Sequence, residues 1–193
     1  MLLDSGLTEA IFAGIGANEA RFGIEVIGNL RKKVDFPLAL ASFFAACDTK
    51  QAIAHARRLK PSRAHNRHLR FLLERRGALL EPKIPLAQLK LLLAEPYFSD
   101  LYELQRAIQK ARGESIGPLL AIKKRARPLK AAKLPRPLLN GHELIALGVQ
   151  PGPMVGLVAE ELYIAQLSEE LSTDRQARRW VTQWLRQHDR FNH

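Results

Sequence analysis

Two stretches of the sequence carry clustered cationic side chains and no acidic residue, which is a pattern suited to binding phosphate groups. The first basic stretch lies between Asp48 and Glu74 and the second between Glu114 and Glu143, and together they hold 14 of the 30 lysines and arginines. A solvated surface normally mixes both charge signs, so we expect a polyanion to contact at least one stretch. The residues predicted to contact phosphate are Arg57, Arg58, Lys60, Arg63, Arg67 and Arg70, followed by Lys123, Lys124, Arg125 and Arg127.

A turn between two helices near the C-terminus is a third candidate phosphate site. Asn140 and Glu143 have the spacing of a capping box, which predicts a short helix over 141–147 that ends at Gly148. The next residues, Val-Gln-Pro-Gly-Pro, predict a tight turn, and a second helix is predicted over 153–167.

The amides that follow this turn can hold an anion, because the first amides of a helix lack partners and carry the positive end of its dipole. Glycine also lets a phosphate approach the backbone closely, so the amides from Gly152 to Gly156 are predicted contacts. The alternative is a plain helical hairpin that binds nothing.

Other side chains with chemical potential lack the partners that metal binding or catalysis needs. His65 and His68 stand three residues apart on a predicted helix, but no third ligand is indicated, so we interpret them as surface histidines beside phosphate. Glu103 and Arg106 are interpreted as a surface ion pair on a helix. The single cysteine, Cys47, is expected to be a small buried residue. The sequence contains neither an Asp-x-Asp pair nor a Walker loop.

Apolar residues recur at helical spacing throughout the chain and no segment is a convincing strand, so the sequence predicts an all-α array of short helices. The aromatic residues are expected to fill the core, with base stacking by Tyr97 or Tyr102 as the open alternative. Core positions are predicted for Phe43, Phe44, Trp180 and Trp184. The predicted helices cover about residues 7–15, 21–34, 36–46, 49–60, 63–76, 85–93, 98–111, 119–125, 141–147, 153–167 and 174–188.

About forty residues near the C-terminus follow the pattern of a known family. The matching residues are LLNG at 138–141, ELI at 143–145, LGV at 147–149, PGP at 151–153, Gly156, Tyr163, AQL at 165–167, EL at 170–171, Thr173, Arg175 and Ala177. This pattern resembles the C-terminal signature of class II tRNA nucleotidyltransferases, which comprise the CCA-adding enzymes and bacterial poly(A) polymerases. The sequence departs from the family at His142, where an acidic residue is usual, and near Ser168, where a glycine is frequent.

The resemblance implies that the chain is the RNA-binding body and tail of such an enzyme, with tRNA or another structured RNA as its partner. In the family, the metal-binding Asp-x-Asp carboxylates, Mg²⁺ and the nucleoside triphosphates belong to a catalytic head. That head is absent from this chain and would be supplied by the full-length protein, so the chain alone is expected to be no enzyme and to need no cofactor. Whether CCA, CC, A or poly(A) is added stays open.

The resemblance also suggests how the chain is divided. It implies the end of a neck-like helical region over 1–34, a helical RNA-binding body over 35–113, a basic Pro-rich linker over 114–137 and a tail over 138–193 with a helix-hairpin-helix-like signature. The basic helices would hold the acceptor and T-arm side of tRNA, and the hairpin would grip its backbone.

Composition leaves two other functions open. The net charge of +11 and the pI near 10.2 favour nucleic acid or another polyanion as partner. No run of eighteen apolar residues and no signal-like start is present, so we expect a cytoplasmic protein without a membrane partner. The alternatives are a standalone helix-hairpin-helix-type DNA-binding module and a helical interaction protein with an acidic partner. The oligomeric state is not predicted.

Overall fold

A computed structural model of the chain describes residues 14–31, 34–81, 83–129 and 133–188. All regular structure in these ranges is helical, which confirms the predicted all-α array of short helices. The helix predicted over 7–15 falls almost wholly outside them. The α-helices are α1 (Ala17–Gly28), α2 (Phe36–Phe43), α3 (Thr49–Arg58), α4 (Arg63–Glu74), α5 (Leu86–Ala94), α6 (Phe98–Ala111), α7 (Gly117–Leu129), α8 (Gly141–Ala146), α9 (Pro153–Leu167) and α10 (Asp174–His188), with a 3₁₀ turn at Ala78–Leu80. None of the described helices is long and apolar enough to cross a membrane.

The chain divides into two compact units. Among the described residues, the first comprises 14–31, 34–81 and 95–125, and the second comprises 83–94, 126–129 and 133–188. This division differs from the one that the sequence suggested, because α5 packs on α9 and so groups with the tail helices instead of the body.

Helix α7 occupies most of the region predicted as a linker with one short helical piece. The helix is longer because Pro118 lies in its first turn and Pro128 in its last, so the intervening residues keep their amide donors. Leu119, Ile122 and Ala126 are all buried and lie on one face of the helix. A solvated linker would have no buried face, so this segment is a packed helix.

The core of the first unit is built where α1, α2, α4 and α6 meet. Its fully buried side chains include Phe44, Leu72, Leu101, Leu104 and Ile108, so Phe44 is a core residue as predicted. Each helix contributes a stripe at three- and four-residue spacing, and burial of these stripes holds the unit together.

Glu103 and Arg106 form a pair in which Arg106 is buried and Glu103 is half-buried, so their interpretation as a surface pair is wrong. Arg106 is 6% exposed and donates from Nε and Nη2 to the two carboxylate oxygens of Glu103 at 2.9 and 2.6 Å. Arg106 also donates to the carbonyl oxygen of Asn29, while the backbone amide of Arg31 donates to Glu103 at 2.8 Å. The pair therefore ties α6 to the segment that follows α1, a long-range contact that helical spacing alone does not reveal.

Acid titration should expose the contribution of this pair. Burial alone would raise the pKa of Glu103, but hydrogen bonds from Arg106 and from the Arg31 amide outweigh it and lower the pKa below its usual 4.5. The stabilisation is therefore fully present above pH 4.5 and is lost as the pH falls through the lowered pKa.

We expect Glu103→Gln to reduce the free energy of unfolding by about 1.5 to 3 kcal/mol at pH 7, because it removes charged hydrogen bonds to a buried guanidinium. The difference from the unsubstituted protein should shrink below pH 4.5 in urea denaturation followed by circular dichroism. Glu74→Gln is the matched control, since Glu74 is 45% exposed and its loss should cost about 0.5 kcal/mol or less. An equal loss for both variants at pH 7 would contradict the prediction.

Cys47 is buried beside the end of α2, as predicted, and is 2% exposed. Arg76 donates to the carbonyl oxygens of Phe44, Ala45 and Cys47 at 2.8 Å, which satisfies the end of that helix. Burial, together with the nearby Glu19 carboxylate, raises the pKa of the Cys47 thiol to about 11 although Arg76 opposes this.

The raised pKa predicts a thiol that is slow to react in the folded protein. Because only the thiolate reacts, alkylation of Cys47 by iodoacetamide at pH 8 should be about 100-fold slower than that of an exposed cysteine. Denaturation in urea should restore the ordinary rate. Native alkylation as fast as that of the denatured chain would contradict the burial of Cys47.

The second unit has its own apolar core, formed by α8, α9 and α10. The buried members include Leu144, Val158, Leu162, Val181 and Trp184, so Trp184 is a core residue as predicted. Its indole Nε1 donates to Glu161 at 2.7 Å, which satisfies the one polar atom of the ring.

The proline-rich segment that precedes α8 is fastened to α9 by hydrogen bonds. The Tyr163 hydroxyl donates to the carbonyl oxygen of Pro135 at 2.9 Å. Gln166 donates to the carbonyl oxygen of Arg136 at 2.8 Å and accepts from the amide of Leu138 at 3.1 Å. Proline has no backbone N–H to donate, so this segment cannot form a regular helix or strand, and the side chains of α9 hold its backbone in place.

Candidate nucleic-acid interface

Helices α3 and α4 form a helical hairpin, here called the arginine hairpin and defined as residues 49–74. Asp48 caps α3 by accepting from the amides of Lys50 and Gln51 at 2.9 and 3.3 Å, and Ser62 caps α4 by accepting from the amide of His65 at 3.2 Å. Between the helices Lys60 takes a positive φ of 47°, which reverses the chain before Pro61. The buried residues of the two helices include Ala52, Ala56, Leu69, Leu72 and Leu73.

The predicted phosphate contacts of the arginine hairpin are all exposed. Arg63, Arg67 and Arg70 are separated by four and three residues, so they form one stripe along α4. Arg70 is bound to Glu74, with its Nη2 2.8 Å and its Nε 3.2 Å from Oε1. Among the described residues, no carboxylate pairs with Arg57, Arg58, Lys60, Arg63 or Arg67.

An open groove of about 590 Å³ runs along one side of the arginine hairpin. It brings together Arg57 from α3 and Arg70 from α4, and it adds Lys50, which was part of the first basic stretch but was not predicted as a contact. Thr49, Ile53, Ala54, Asp48 and Glu74 complete the lining. Arg58, Lys60, Arg63 and Arg67 do not line it. Asp48 caps α3 and Glu74 is bound to Arg70, so Lys50 and Arg57 are the cations of the groove that have no carboxylate partner among the described residues.

The second basic stretch lies partly on α7. Lys123, Lys124, Arg125 and Arg127 are exposed, opposite the buried face of this helix. At 100° per residue these four span an arc of about 200°, so they surround the exposed side instead of forming one stripe. Lys123 to Arg125 belong to the first unit and Arg127 to the second.

The turn between α8 and α9 has the predicted geometry. Asn140 and Glu143 form the capping box, and α8 is followed by Gly148 with a φ of 101°. Gly152, with a φ of 113°, precedes Pro153 as the first residue of α9. The left-handed region explains why position 152 requires glycine.

The same turn offers fewer free amides than the sequence suggested. Pro153 has no N–H group, and the amide of Val155 donates to the carbonyl oxygen of Gly152 at 3.1 Å. Gly152 and Gly156 are exposed, and a Cβ added at either would meet no protein atom within 4 Å. Their small size is therefore not needed for packing within the described chain, and a ligand can approach the backbone there.

His68 is buried, so its interpretation as a surface histidine is wrong. The imidazole stacks on Tyr97 with centroids 4.1 Å apart and an angle of 11° between the planes. Burial lowers the pKa of His68 although the carboxylates of Asp35 and Asp100 oppose this. The helical spacing holds a signal that could have found it, because His68 shares a face with Leu72 on α4.

Comparisons with protein-family models, with curated proteins and with solved structures found no match to this chain. The arginine hairpin is the part of the described chain where predicted contacts from two helices meet in one groove. It is therefore the strongest candidate for a binding surface.

Proposed function

We propose that this chain binds structured RNA, in the first place tRNA, as the body and tail of a class II tRNA nucleotidyltransferase or poly(A) polymerase. In this role it holds the RNA so that a catalytic head outside the chain adds nucleotides at the 3′ end. RNA binding is supported by charge and geometry, and the choice of tRNA rests on the residues that resemble the family signature.

One observation carries the proposal, and it is the unpaired charge of the arginine hairpin. Four arginines and a lysine on this hairpin have no carboxylate partner among the described residues. Like charges so close together repel one another and reduce stability. A phosphate backbone supplies the missing countercharge and releases its own counterions on binding, which gives the favourable free energy.

The turn before α9 gives secondary support. Residues of the family signature form a short helix, a glycine-proline turn and a second helix, and the two glycines leave the backbone accessible. Contacts to the RNA backbone would position the molecule without reading its sequence.

The chain contributes binding and orientation in this proposal, and no chemical step. Mg²⁺ and the nucleoside triphosphate would be held by the head. We infer a cytoplasmic location for this role, as the sequence predicts.

A comparison of tRNA fragments tests which part of the RNA is held. We expect a minihelix of only the acceptor and T arms to compete for the chain nearly as well as whole tRNA. An anticodon hairpin of equal length and charge should compete at least about tenfold less well at 0.15 M salt, because the chain is expected to recognise the shape of the acceptor and T arms. Binding through charge alone would give no difference between the two RNAs.

Two results would overturn the proposal in different ways. Tighter binding of duplex DNA than of either RNA would favour the DNA-binding module. Equal, weak binding of the minihelix, the anticodon hairpin, duplex DNA and a polyanion such as heparin would favour a helical interaction protein that binds an acidic partner.

A further inference from the structure

A second cluster of chemically capable side chains lies in the first unit, away from the groove of the arginine hairpin. It consists of Asp35, which caps α2, His68 on α4 and Asp100 in the first turn of α6. One oxygen of each carboxylate and one ring nitrogen of the histidine lie within 4.8 Å of one another. Three helices thus meet at three possible ligand atoms.

The imidazole is placed between the two carboxylates. Asp35 Oδ2 lies 3.5 Å from Nδ1, and Asp100 Oδ2 lies 3.2 Å from Nε2. A neutral imidazole has one N–H donor and one lone pair, so it can satisfy only one of the two carboxylates by hydrogen bonding. The other carboxylate then faces a lone pair, which is unfavourable unless the ring is protonated or a metal ion lies between them.

The ring nitrogen nearest Asp100 has no hydrogen-bond partner among the described residues. His68 is 7% exposed in its side chain, and its Nε2 is buried and unpaired although Asp100 is only 3.2 Å away. The two atoms are therefore close but not aligned for a hydrogen bond. A buried polar atom without a partner is unusual in a folded protein and calls for an explanation.

Shared coordination of one metal ion explains both the distance and the poor alignment. Two ligand atoms, each about 2.1 Å from a tetrahedral zinc ion, stand about 3.4 Å apart, and neither lies on the axis of the other's lone pair. The observed separation of 3.2 Å is close to this spacing.

We propose that Asp35, His68 and Asp100 bind a divalent transition-metal ion such as Zn²⁺. One imidazole and two carboxylates are ligands that zinc accepts, and three protein ligands leave a position for water. Asp35 is 52% exposed and Asp100 33% exposed, so an ion can enter from solvent.

The surroundings hold the ligands in place. The Tyr97 ring stacks on the imidazole and fixes its plane. Asp35 keeps one oxygen, Oδ1, on the amide of Leu38 at 3.1 Å, which leaves Oδ2 for the ion. Such supporting contacts orient the ligands of known metal sites. The bound ion would fasten α2, α4 and α6 together.

Titration of the EDTA-treated full chain with Zn²⁺ or Co²⁺ tests the proposal, by calorimetry and by the visible absorption of cobalt. We expect one saturable site and a change in the NMR signals of the His68 ring. Asp35→Asn and Asp100→Asn should each weaken binding on the order of 100-fold, since loss of even a supporting contact costs 10- to 100-fold. Asparagine still caps a helix, so Asp35→Asn should fold.

His65→Asn is the matched control, because His65 lies on the same helix but is exposed and outside the cluster. Its metal affinity should equal that of the unsubstituted chain. The proposal is overturned if the unsubstituted chain shows no saturable binding, if binding survives both aspartate substitutions, or if the His68 ring signals do not respond to the metal. RNA binding is measured separately, so failure of either proposal leaves the other intact.

Discussion

Replacing Arg57, Arg63 and Arg67 together by glutamine is expected to weaken tRNA binding on the order of 100-fold at 0.1 M salt. Each cation that neutralises a phosphate releases counterions, so the logarithm of the affinity falls with the logarithm of salt by about 0.9 per contact. Loss of three contacts should therefore also lower the salt slope by about 3. Both quantities come from one series of fluorescence titrations with labelled tRNA at four salt concentrations.

A control variant that loses the same number of positive charges elsewhere shows whether the position of the arginines matters or only the net charge. The triple variant Arg21→Gln, Arg179→Gln, Arg186→Gln loses the same three charges from exposed positions outside both basic stretches. We expect its affinity to fall less than about fivefold and its salt slope to stay within one of the unsubstituted value, because only long-range attraction is reduced. If both variants lose affinity equally, the arginine hairpin is not the contact surface.

Gly23→Ala is expected to destabilise the first unit by about 3 kcal/mol or more. Gly23 lies on the buried face of α1, and a Cβ at this position would stand 2.0 Å from the carbonyl oxygen of Phe43 in α2. That oxygen belongs to the backbone, so the clash can be relieved only if the two helices separate. Urea denaturation measures the loss, and Cys47 should become more reactive towards iodoacetamide in the variant.

Gly28→Ala provides the control from the same helix. A Cβ at Gly28 would meet nothing within 4 Å, and alanine favours helix over glycine. We expect Gly28→Ala to leave the free energy of unfolding unchanged or to raise it by less than about 1 kcal/mol. A Gly23→Ala variant as stable as Gly28→Ala would show that α1 and α2 do not approach so closely.

Local signals in the sequence predicted the helices well. Caps and breakers gave α6, α9 and α10 with both ends in agreement, because Pro96, Pro153 and Thr173 act through their own backbone and near neighbours. Periodicity also identified the apolar stripe of α10, on which Ala177, Val181 and Trp184 are buried.

Contacts between distant segments could not be predicted in this way. The spacing of Glu103 and Arg106 predicted their pairing, but Arg106 is buried because the segment that follows α1 meets it across the fold, where its guanidinium donates to the carbonyl oxygen of Asn29. The grouping of α5 with the second unit likewise depends on its packing against α9. For the candidate interface, composition identified the basic residues, whereas the groove that joins Arg57 to Arg70 depends on the packing of α3 on α4.

Selectivity among nucleic acids of equal charge tests the central claim most directly. The chain would be titrated with a folded tRNA, an unstructured RNA and a duplex DNA, each at 0.1 M and 0.3 M salt. If the chain recognises RNA shape, tRNA should bind at least about tenfold more tightly than the other two, and this ratio should persist at the higher salt because shape contacts are not screened. If all three bind alike and dissociate together as salt rises, the basic residues provide only an unspecific field and the tRNA assignment is contradicted.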